Sequence, residues 1–368
     1  MSSSLPPAPK QSFTKLVTLA QNAQSSSQPG LAVAFFQRAV ASRLEEDGGK
    51  KGDEELAECY EGMAEGLVAV GKGAEGFSAA QAACSVNPTP PRYLLLGQLS
   101  PTPTDALDAY NRCLSLLSSL SAPDHHLACL AHTSIAELYM TDLCMEEEAE
   151  GLCEKHVASG VAAEANLSGV CDASQALASM RLSQSRQGDA EKAMEKVWAV
   201  MGAGCSAAAD SVGLYKREIL ERAEDRPGDG MGYEPSQQEI ESASSLPSYE
   251  FRTASAKLLM EIGSAKTLER ATVVLGSLLA ESDEVAETFF LLGYCMMLQA
   301  DGDAAKEYLE RSLSMLESVQ KSLSEELEAI QSFDDGGLGE ELEGVEERIE
   351  RVRGLLEEVA EGGVGGIG

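Results

Sequence analysis

The sequence of 368 residues has 60 Asp and Glu side chains against 28 Lys and Arg, a formal net charge of -32. Such a field repels phosphate backbones and anionic lipid headgroups, so the composition disfavours direct binding to nucleic acid or to a membrane. The length exceeds one ordinary core, and the few aromatic residues and near absence of alternating Val, Ile and Thr favour an all-α repeat array.

The N-terminal segment, residues 1–28, is rich in Ser, Gln and Pro and predicts a disordered tail. It lacks a basic start followed by an apolar stretch, and no later run has the length of a transmembrane helix. The 9 cysteines are odd in number and form no C-x-x-C pair. We therefore expect a cytoplasmic and nuclear protein without a disulfide framework.

A helical repeat pattern occupies residues 29–330. Its clearest copy has Phe289, Leu292 and Gly293 on one helix, followed by Ala305 and Leu309 on the next. This spacing of large, aliphatic and small residues is typical of tetratricopeptide repeats. Weaker copies begin near these residues: Tyr60, Tyr93, Leu127, Leu177 and Ala256. With about six repeats, several degenerate, the fold class is predicted as all-α, a tetratricopeptide-like right-handed helical solenoid.

Irregular segments interrupt this pattern. The stretch Leu31–Arg43 predicts a lone second helix at the N-terminal end of the array. The copy that begins at Ala256 is longer than the usual 34 residues, and we place its extra residues in a turn at Ser264–Thr267. Two longer loops are predicted at Glu45–Glu54 and Glu224–Pro247, the second with strong turn residues.

The C-terminal region ends the array. Residues 331–339 predict a linker, residues 340–361 an acidic helix, and residues 362–368 a glycine-rich tail. Within the helix, Val345, Ile349 and Val352 recur at helical spacing with glutamates between them. This amphipathic helix is expected to cap the open end of the solenoid.

Two motifs suggest chemistry, and for both we favour a structural interpretation. Gly71–Gly76 matches G-x-G-x-x-G, but the preceding apolar residues keep helical spacing, which predicts a turn between two repeat helices. His125, Cys129 and His132, with Cys153 and His156, could reach a zinc ion, but Cys129 and His132 fall on a packing face. We predict no metal, no cofactor and no catalytic residue.

Partner contacts are expected on the first helices of the repeats, between the packing positions. These candidate partner-binding residues are Glu61, Glu65, Glu137, Glu250, Thr253, Lys257, Glu261 and Tyr294. A repeat that clamps an acidic peptide would need Lys, Arg and Asn there, whereas this set is mostly glutamate. The sequence therefore predicts a basic protein segment as the ligand.

Several segments resemble one known family. They are Pro247–Arg252, Asp283–Val285, Leu291–Tyr294, Leu177–Ser185, Tyr93–Gln98 and the final Glu-rich helix. Over residues 90 to 360 the chain is similar to the dedicated assembly chaperone of large ribosomal subunit protein four. The resemblance implies capture of that newly made ribosomal protein, shielding of its long basic loop, and escort to pre-ribosomes in the nucleus. Separately, we expect the chain to be a monomer.

Two other function classes stay open on the sequence. The first is a general tetratricopeptide scaffold or adaptor, whose binding would map to apolar surface and ignore salt. The second is a helical enzyme, which would need a bound cofactor or metal that no motif predicts. Salt-sensitive binding of a basic partner distinguishes the chaperone from both.

Overall fold

The computed structural model describes residues 12–47, 50–117, 121–211, 246–329 and 338–361. Over these ranges every regular element is an α-helix, as the composition predicts. None of the helices in these ranges is both long enough and apolar enough to cross a bilayer. The helices are α1 Phe13–Ser25, α2 Pro29–Asp47, α3 Glu54–Ala69, α4 Gly73–Val86, α5 Pro90–Gln98, α6 Pro103–Leu116, α7 Ala122–Met140, α8 Ala149–Glu164, α9 Asp172–Ser183, α10 Gln187–Ser211, α11 Tyr249–Ile262, α12 Ala265–Glu281, α13 Ala286–Leu298, α14 Gly302–Ala329 and α15 Leu338–Ala360.

Side-chain caps set the start of several helices. The Asp53 carboxylate accepts a hydrogen bond from the Leu56 amide at the start of α3. Thr102, Ser121 and Ser264 do the same at the starts of α6, α7 and α12. Such caps satisfy amides that have no partner within the helix, and each contributes about 1 kcal/mol. The short polar residues between the apolar stretches therefore fix where one helix ends and the next begins.

The chain divides into two compact units, with the boundary between Ala176 and Leu177 inside α9. In the first unit, helices adjacent in sequence pack on one another from α1 to α8, with α7 against α8 as one of the most extensive pairs. In the second unit, α12 packs between α10 and α11, and α13, α14 and α15 follow in series. Serial packing of neighbouring helices is the arrangement expected of helical repeats.

Glycines allow two helix pairs to approach closely where the repeat pattern places a small residue. A Cβ atom at Gly293 would lie 2.6 Å from Cγ of Leu309, across the α13–α14 pair. At Gly97 it would lie 2.4 Å from the ring of Tyr110, across the α5–α6 pair. Real Cβ atoms do not come this close, so only glycine fits. At both sites the glycine lets the two helices of a pair approach closely.

The N-terminal segment differs from the prediction. Where the sequence predicts disorder over residues 1–28, Phe13–Ser25 forms α1, and Phe13, Leu16, Ala20 and Ala23 are buried. These side chains share a core with Phe36 of α2, which also makes α2 the partner of α1 and not a lone helix. The Ser and Gln residues lie on the exposed side of α1, so its apolar stripe overrides the polar composition. Residues 1–11 lie outside the described ranges.

The turn between α11 and α12 does not contain the extra residues of the repeat copy that begins at Ala256. Only Gly263 and Ser264 separate the two helices, with Gly263 in the left-handed region at φ 72°. A glycine in that conformation ends a helix abruptly. The prediction of a lengthened turn at Ser264–Thr267 is therefore wrong, and the extra residues lie in α12 and in the connection to α13.

The C-terminal helix α15 packs on the last repeat. Val345, Ile349 and Val352 are buried in one core with Leu316 and Leu323 of α14. Its glutamates face outward and are exposed, so the helix covers apolar surface of the last pair and presents a polar surface to water. The loop residues 224–245, the linker residues 331–337 and the tail 362–368 lie outside the described ranges.

Candidate functional site

The eight predicted partner-binding residues lie on the first helices of their pairs, as expected. Glu61 and Glu65 are on α3, Glu137 is on α7 and Tyr294 is on α13. The remaining four, Glu250, Thr253, Lys257 and Glu261, are all on α11. The first three residues belong to the first compact unit and the other five to the second.

Glu61 is engaged inside the first unit. Its Oε1 lies 3.0 Å from Nε of Arg92, whose side chain is 3% exposed. Nη2 of Arg92 also lies 2.8 Å from Oε1 of Glu54, and its Nη1 donates to the Asn87 carbonyl. Burial raises the pKa of the Glu61 carboxyl, although the guanidinium opposes that shift. This cluster joins α3 to α5, so Glu61 has a structural partner of its own.

Glu65 and Glu137 are the exposed carboxylates of the first-unit group. Glu65 accepts a hydrogen bond of 3.3 Å from Nε2 of Gln24 on α1. The Glu137 side chain is exposed, yet desolvation by the surrounding protein raises its pKa, and the negative charge of Asp172 adds to this shift. The Glu137 carboxylate is exposed, so a ligand can reach it.

On α11 the four candidates differ in availability. Glu250 and Glu261 are exposed and make no ion pair with any described cation. The Thr253 hydroxyl donates back to the Tyr249 carbonyl at 2.9 Å, which leaves only its acceptor lone pairs for a ligand. Nζ of Lys257 lies 2.6 Å from Oε1 of Glu287 on α13. Lys257 thus neutralises a carboxylate of the neighbouring first helix.

Three of the predicted residues line one cavity in the second unit. Lys257, Glu261 and Tyr294 surround a space of about 460 Å³ together with Phe290 and Arg351. The rings of Phe290 and Tyr294, one turn apart on α13, are parallel to within 3° with centroids 6.5 Å apart. The Arg351 guanidinium of α15 lies 5.3 Å from the Phe290 centroid. Two cations, two carboxylates and an aromatic floor meet here.

Sequence reasoning did not single out Glu287, Phe290 or Arg351. The spacing of Phe290 and Tyr294 by one helical turn could have identified Phe290 as a surface neighbour of Tyr294. No local signal could have identified Arg351, because its position depends on how α15 packs against α13 and α14. Glu287 is assigned to the site by its ion pair with Lys257 and by its position in the cavity wall.

The two motifs that suggested chemistry have structural roles. Gly71 forms the left-handed turn between α3 and α4, and Gly76 packs closely against α3, so a helix and not a strand precedes this motif. Cys129 is buried against Ala163 and Ala173, and burial raises its pKa to about 11. In the described part of the chain no three His, Cys, Asp or Glu groups come together as a metal site.

The histidines of the zinc candidate form a pair instead. Nδ1 of His132 on α7 lies 3.0 Å from Nδ1 of His156 on α8, which requires one ring to donate and the other to accept. Burial, with the nearby His156 and Lys155, lowers the pKa of His132 to about 4. Burial also lowers the pKa of His156. Both imidazoles are thus neutral near pH 7, and their hydrogen bond links the two helices.

No family model matches the chain. A known protein is, however, similar to it in sequence. A probable assembly chaperone of rpl4 from Schizosaccharomyces pombe is 29% identical over 233 residues. The alignment covers 60% of this chain and 57% of that protein, so the chain spans a little over half the length of the relative.

Solved structures show the fold. The assembly chaperone of RpL4, Acl4, residues 1–338, matches with a TM-score of 0.51 and 18% identity over 77% of this chain and 95% of that one. A tetratricopeptide repeat protein from Parabacteroides merdae gives a TM-score of 0.45 with 13% identity over 82% and 93% of the two chains. The first match confirms the all-α, tetratricopeptide-like fold class. The chain is therefore similar in sequence to a probable assembly chaperone of rpl4 and has the fold of a solved one, which confirms the family resemblance predicted from its segments.

Proposed function

We propose that this chain is a dedicated chaperone that binds newly made large-subunit ribosomal protein four and holds its basic extension until assembly. The observation that carries this proposal is the 29% identity over 233 residues to a protein named as a probable assembly chaperone of rpl4. Because the chain spans 57% of that relative, the client and the function come to it as a proposal.

The charge of the chain supports a basic client. A net charge of -32 steers a Lys/Arg-rich segment toward the protein and repels RNA, which would otherwise compete for that segment. The same charge argues against direct binding of nucleic acid or anionic membrane. We infer a monomer that acts through binding, without catalysis, in the cytoplasm and the nucleus. Release follows when ribosomal RNA, with its higher charge density, takes over the basic segment.

Four exposed carboxylates are the proposed contacts with the client: Glu65, Glu137, Glu250 and Glu261. Each is on a first helix, where a repeat array offers its binding face. Glu61 contributes indirectly, because its carboxylate holds Arg92 and so positions α3 against α5. Thr253, Lys257 and Tyr294 remain in the proposed set as neighbours of Glu250 and Glu261 on α11 and across the cavity.

The experiment is a titration of purified chain with the full-length ribosomal protein and with its isolated basic segment, at low and high salt. We expect tight binding of both ligands at about 0.05 M salt and a loss of at least tenfold at about 0.5 M, because the screening length shortens from roughly 14 to 4 Å. If the affinity does not depend on salt and the chain prefers a protein of neutral charge, the result would instead indicate the scaffold function.

Variants in which Glu is replaced by neutral Gln locate the surface that binds the client. Glu65→Gln with Glu137→Gln, and Glu250→Gln with Glu261→Gln, each remove two negative charges from first helices. The matched control, Glu147→Gln with Glu269→Gln, removes two exposed charges elsewhere. We expect at least one first-helix pair to weaken client binding about fivefold or more, as expected for contacts to charged groups of a ligand. Equal effects of all three pairs would refute these contacts while leaving a general electrostatic attraction.

A further inference from the structure

The cavity between α11 and α13 continues into a second one in the same compact unit. The first has a volume of about 460 Å³ and the second about 270 Å³, and Glu287, Phe290 and Arg351 line both. We call the two together the end groove. It is bordered by first helices α11 and α13, by α14 and by the C-terminal helix α15. Its combined size suits one or two large side chains of a bound peptide.

The floor of the end groove is apolar. The parallel rings of Phe290 and Tyr294 form its centre, 6.5 Å apart. Met260, Leu291 and Leu298 extend the floor in the larger cavity, and Leu316 and Val352 extend it in the smaller one. Phe290 and Tyr294 are each only half-buried, so part of their ring surface is still in contact with water. Covering that surface with an apolar ligand side chain would be favourable.

The rim of the end groove carries two arginines that make no ion pair among the described residues. Arg348 and Arg351 are three residues apart on α15, so they point to the same side of the helix. Neither makes an ion pair with a carboxylate of the described residues, and Arg351 rests over the Phe290 ring. By contrast, these arginines each pair with Asp or Glu: Arg43, Arg92, Arg112, Arg186, Arg252, Arg270 and Arg353.

The residues that line the end groove include three cations and two carboxylates. Lys257 and Glu287 neutralise each other at 2.6 Å, which leaves Arg348 and Arg351 against the single carboxylate Glu261. In a chain with a net charge of -32, two guanidinium groups held beside an apolar floor are available to a ligand carboxylate. A guanidinium can hold such a group through two parallel hydrogen bonds.

We propose that the end groove binds a short peptide segment of a partner protein in which an aromatic or aliphatic residue stands next to Asp or Glu. The apolar side chain lies against Phe290 and Tyr294, and the adjacent carboxylate pairs with Arg348 and Arg351. This ligand is opposite in charge to the proposed ribosomal client. The site therefore gives the chain a second partner that leaves Glu65 and Glu137 to the basic extension. The two ligands share only the proposed contacts Lys257, Glu261 and Tyr294, which line the groove.

The probe is a fluorescein-labelled peptide of sequence Gly-Asp-Leu-Phe-Asp-Glu-Gly, titrated with the full chain and followed by fluorescence anisotropy. Two control peptides replace Leu-Phe with Ser-Ser, or all three acidic residues with Lys. We expect saturable binding of the probe and at least fivefold weaker binding of the Ser-Ser peptide, which lacks the apolar anchor. Because a Lys peptide can also bind the acidic first helices, it is added as an unlabelled competitor of the labelled probe. If it displaces the probe more strongly than the unlabelled probe peptide does, the groove belongs to the basic client and the proposal is wrong.

Variants of the full chain test the arginines. Arg348→Gln with Arg351→Gln should weaken probe binding about fivefold or more, because both charged partners of the carboxylate are lost. Lys306→Gln with Lys321→Gln removes the same charge from exposed positions on α14 and should change binding less than about twofold. Equal probe affinity for the two double variants would overturn the proposal.

Binding of the ribosomal protein by the same variants tests this proposal independently of the chaperone function. The Arg348→Gln, Arg351→Gln variant should bind the ribosomal protein as the unmodified chain does, whereas the Glu65→Gln, Glu137→Gln variant should bind the acidic probe normally. Circular dichroism of each variant checks that helix content is unchanged. If the unmodified chain binds the probe but not the ribosomal protein, the chaperone function is refuted and the end groove stands. Loss of probe binding in both variants would refute a separate site.

Discussion

The ring of Phe36 in α2 lies directly against Gly62 in α3, so that a Cβ atom at Gly62 would be 2.5 Å from two ring carbons. Phe36 is 3% exposed and packed among the side chains of α1, which prevents the ring from moving aside. The N-terminal helices can therefore pack at this distance only because residue 62 has no side chain.

Gly62→Ala is expected to lower the free energy of unfolding of the first unit by about 1–2 kcal/mol, since overpacking costs more than the gain in helix propensity. Gly151 on α8 is the control, because a Cβ there would meet nothing within 4 Å. Gly151→Ala should be neutral or stabilising by up to about 1 kcal/mol. Urea unfolding followed by circular dichroism measures both, and equal effects would contradict the close approach at Gly62.

Leu16→Ala should destabilise α1 by about 2–4 kcal/mol, because Leu16 is 3% exposed and fills the core shared with Phe36. The adjacent Lys15 is exposed, and Lys15→Ala should change stability by less than about 0.5 kcal/mol. Amide hydrogen exchange of residues 16–25 reports the difference locally. If these amides are unprotected in the unmodified chain, the segment is disordered, as its composition predicts.

Ile349→Ala tests the capping helix. The side chain is 2% exposed and packs with Leu316 and Leu323, so its truncation should cost about 2–4 kcal/mol and loosen α15 from α14. Glu350→Ala, at an exposed neighbouring position, should have little effect on stability. Thermal unfolding of both variants gives the comparison. An unchanged midpoint for Ile349→Ala would mean that α15 does not cap the last pair.

The His132–His156 pair predicts a loss of stability in mild acid. The pKa of His132 is about 4 in the folded chain and near 6.5 when unfolded, so only the unfolded chain gains this proton as the pH falls from 6.5 toward 4. Stability is therefore full above pH 6.5 and declines across that window, by on the order of 1–2 kcal/mol.

His132→Asn should flatten this decline, because Asn can take part in a hydrogen bond to His156 without titrating. His126 is exposed on the same helix, and His126→Asn should leave the decline as it is in the unmodified chain. Urea midpoints at pH 7, 6, 5 and 4 measure all three proteins. A similar flattening by both variants would assign the pH dependence to net charge and not to the pair.

Local sequence determined the helices and most of their pairing. Caps such as Asp53 and Ser264, and glycines such as Gly97 and Gly293, act on neighbours within a few residues or in the adjacent helix, so their spacing carries the information. Composition wrongly predicted disorder where α1 forms, because the average over the segment is polar although four apolar side chains lie on one helical face. Their stability comes from packing on α2, which a local average does not contain.

For the candidate site, sequence by itself determined that the proposed partner-binding residues lie on first helices and that most of them are carboxylates. Only the tertiary structure decided which carboxylates are engaged: Glu61 is held by Arg92 and Glu287 by Lys257, across separate helices. It also decided that α15 brings Arg351 to Phe290, far away in the sequence. Charge and periodicity are properties of single segments, whereas ion pairing and groove shape depend on distances between segments, which arise only when the apolar faces pack together.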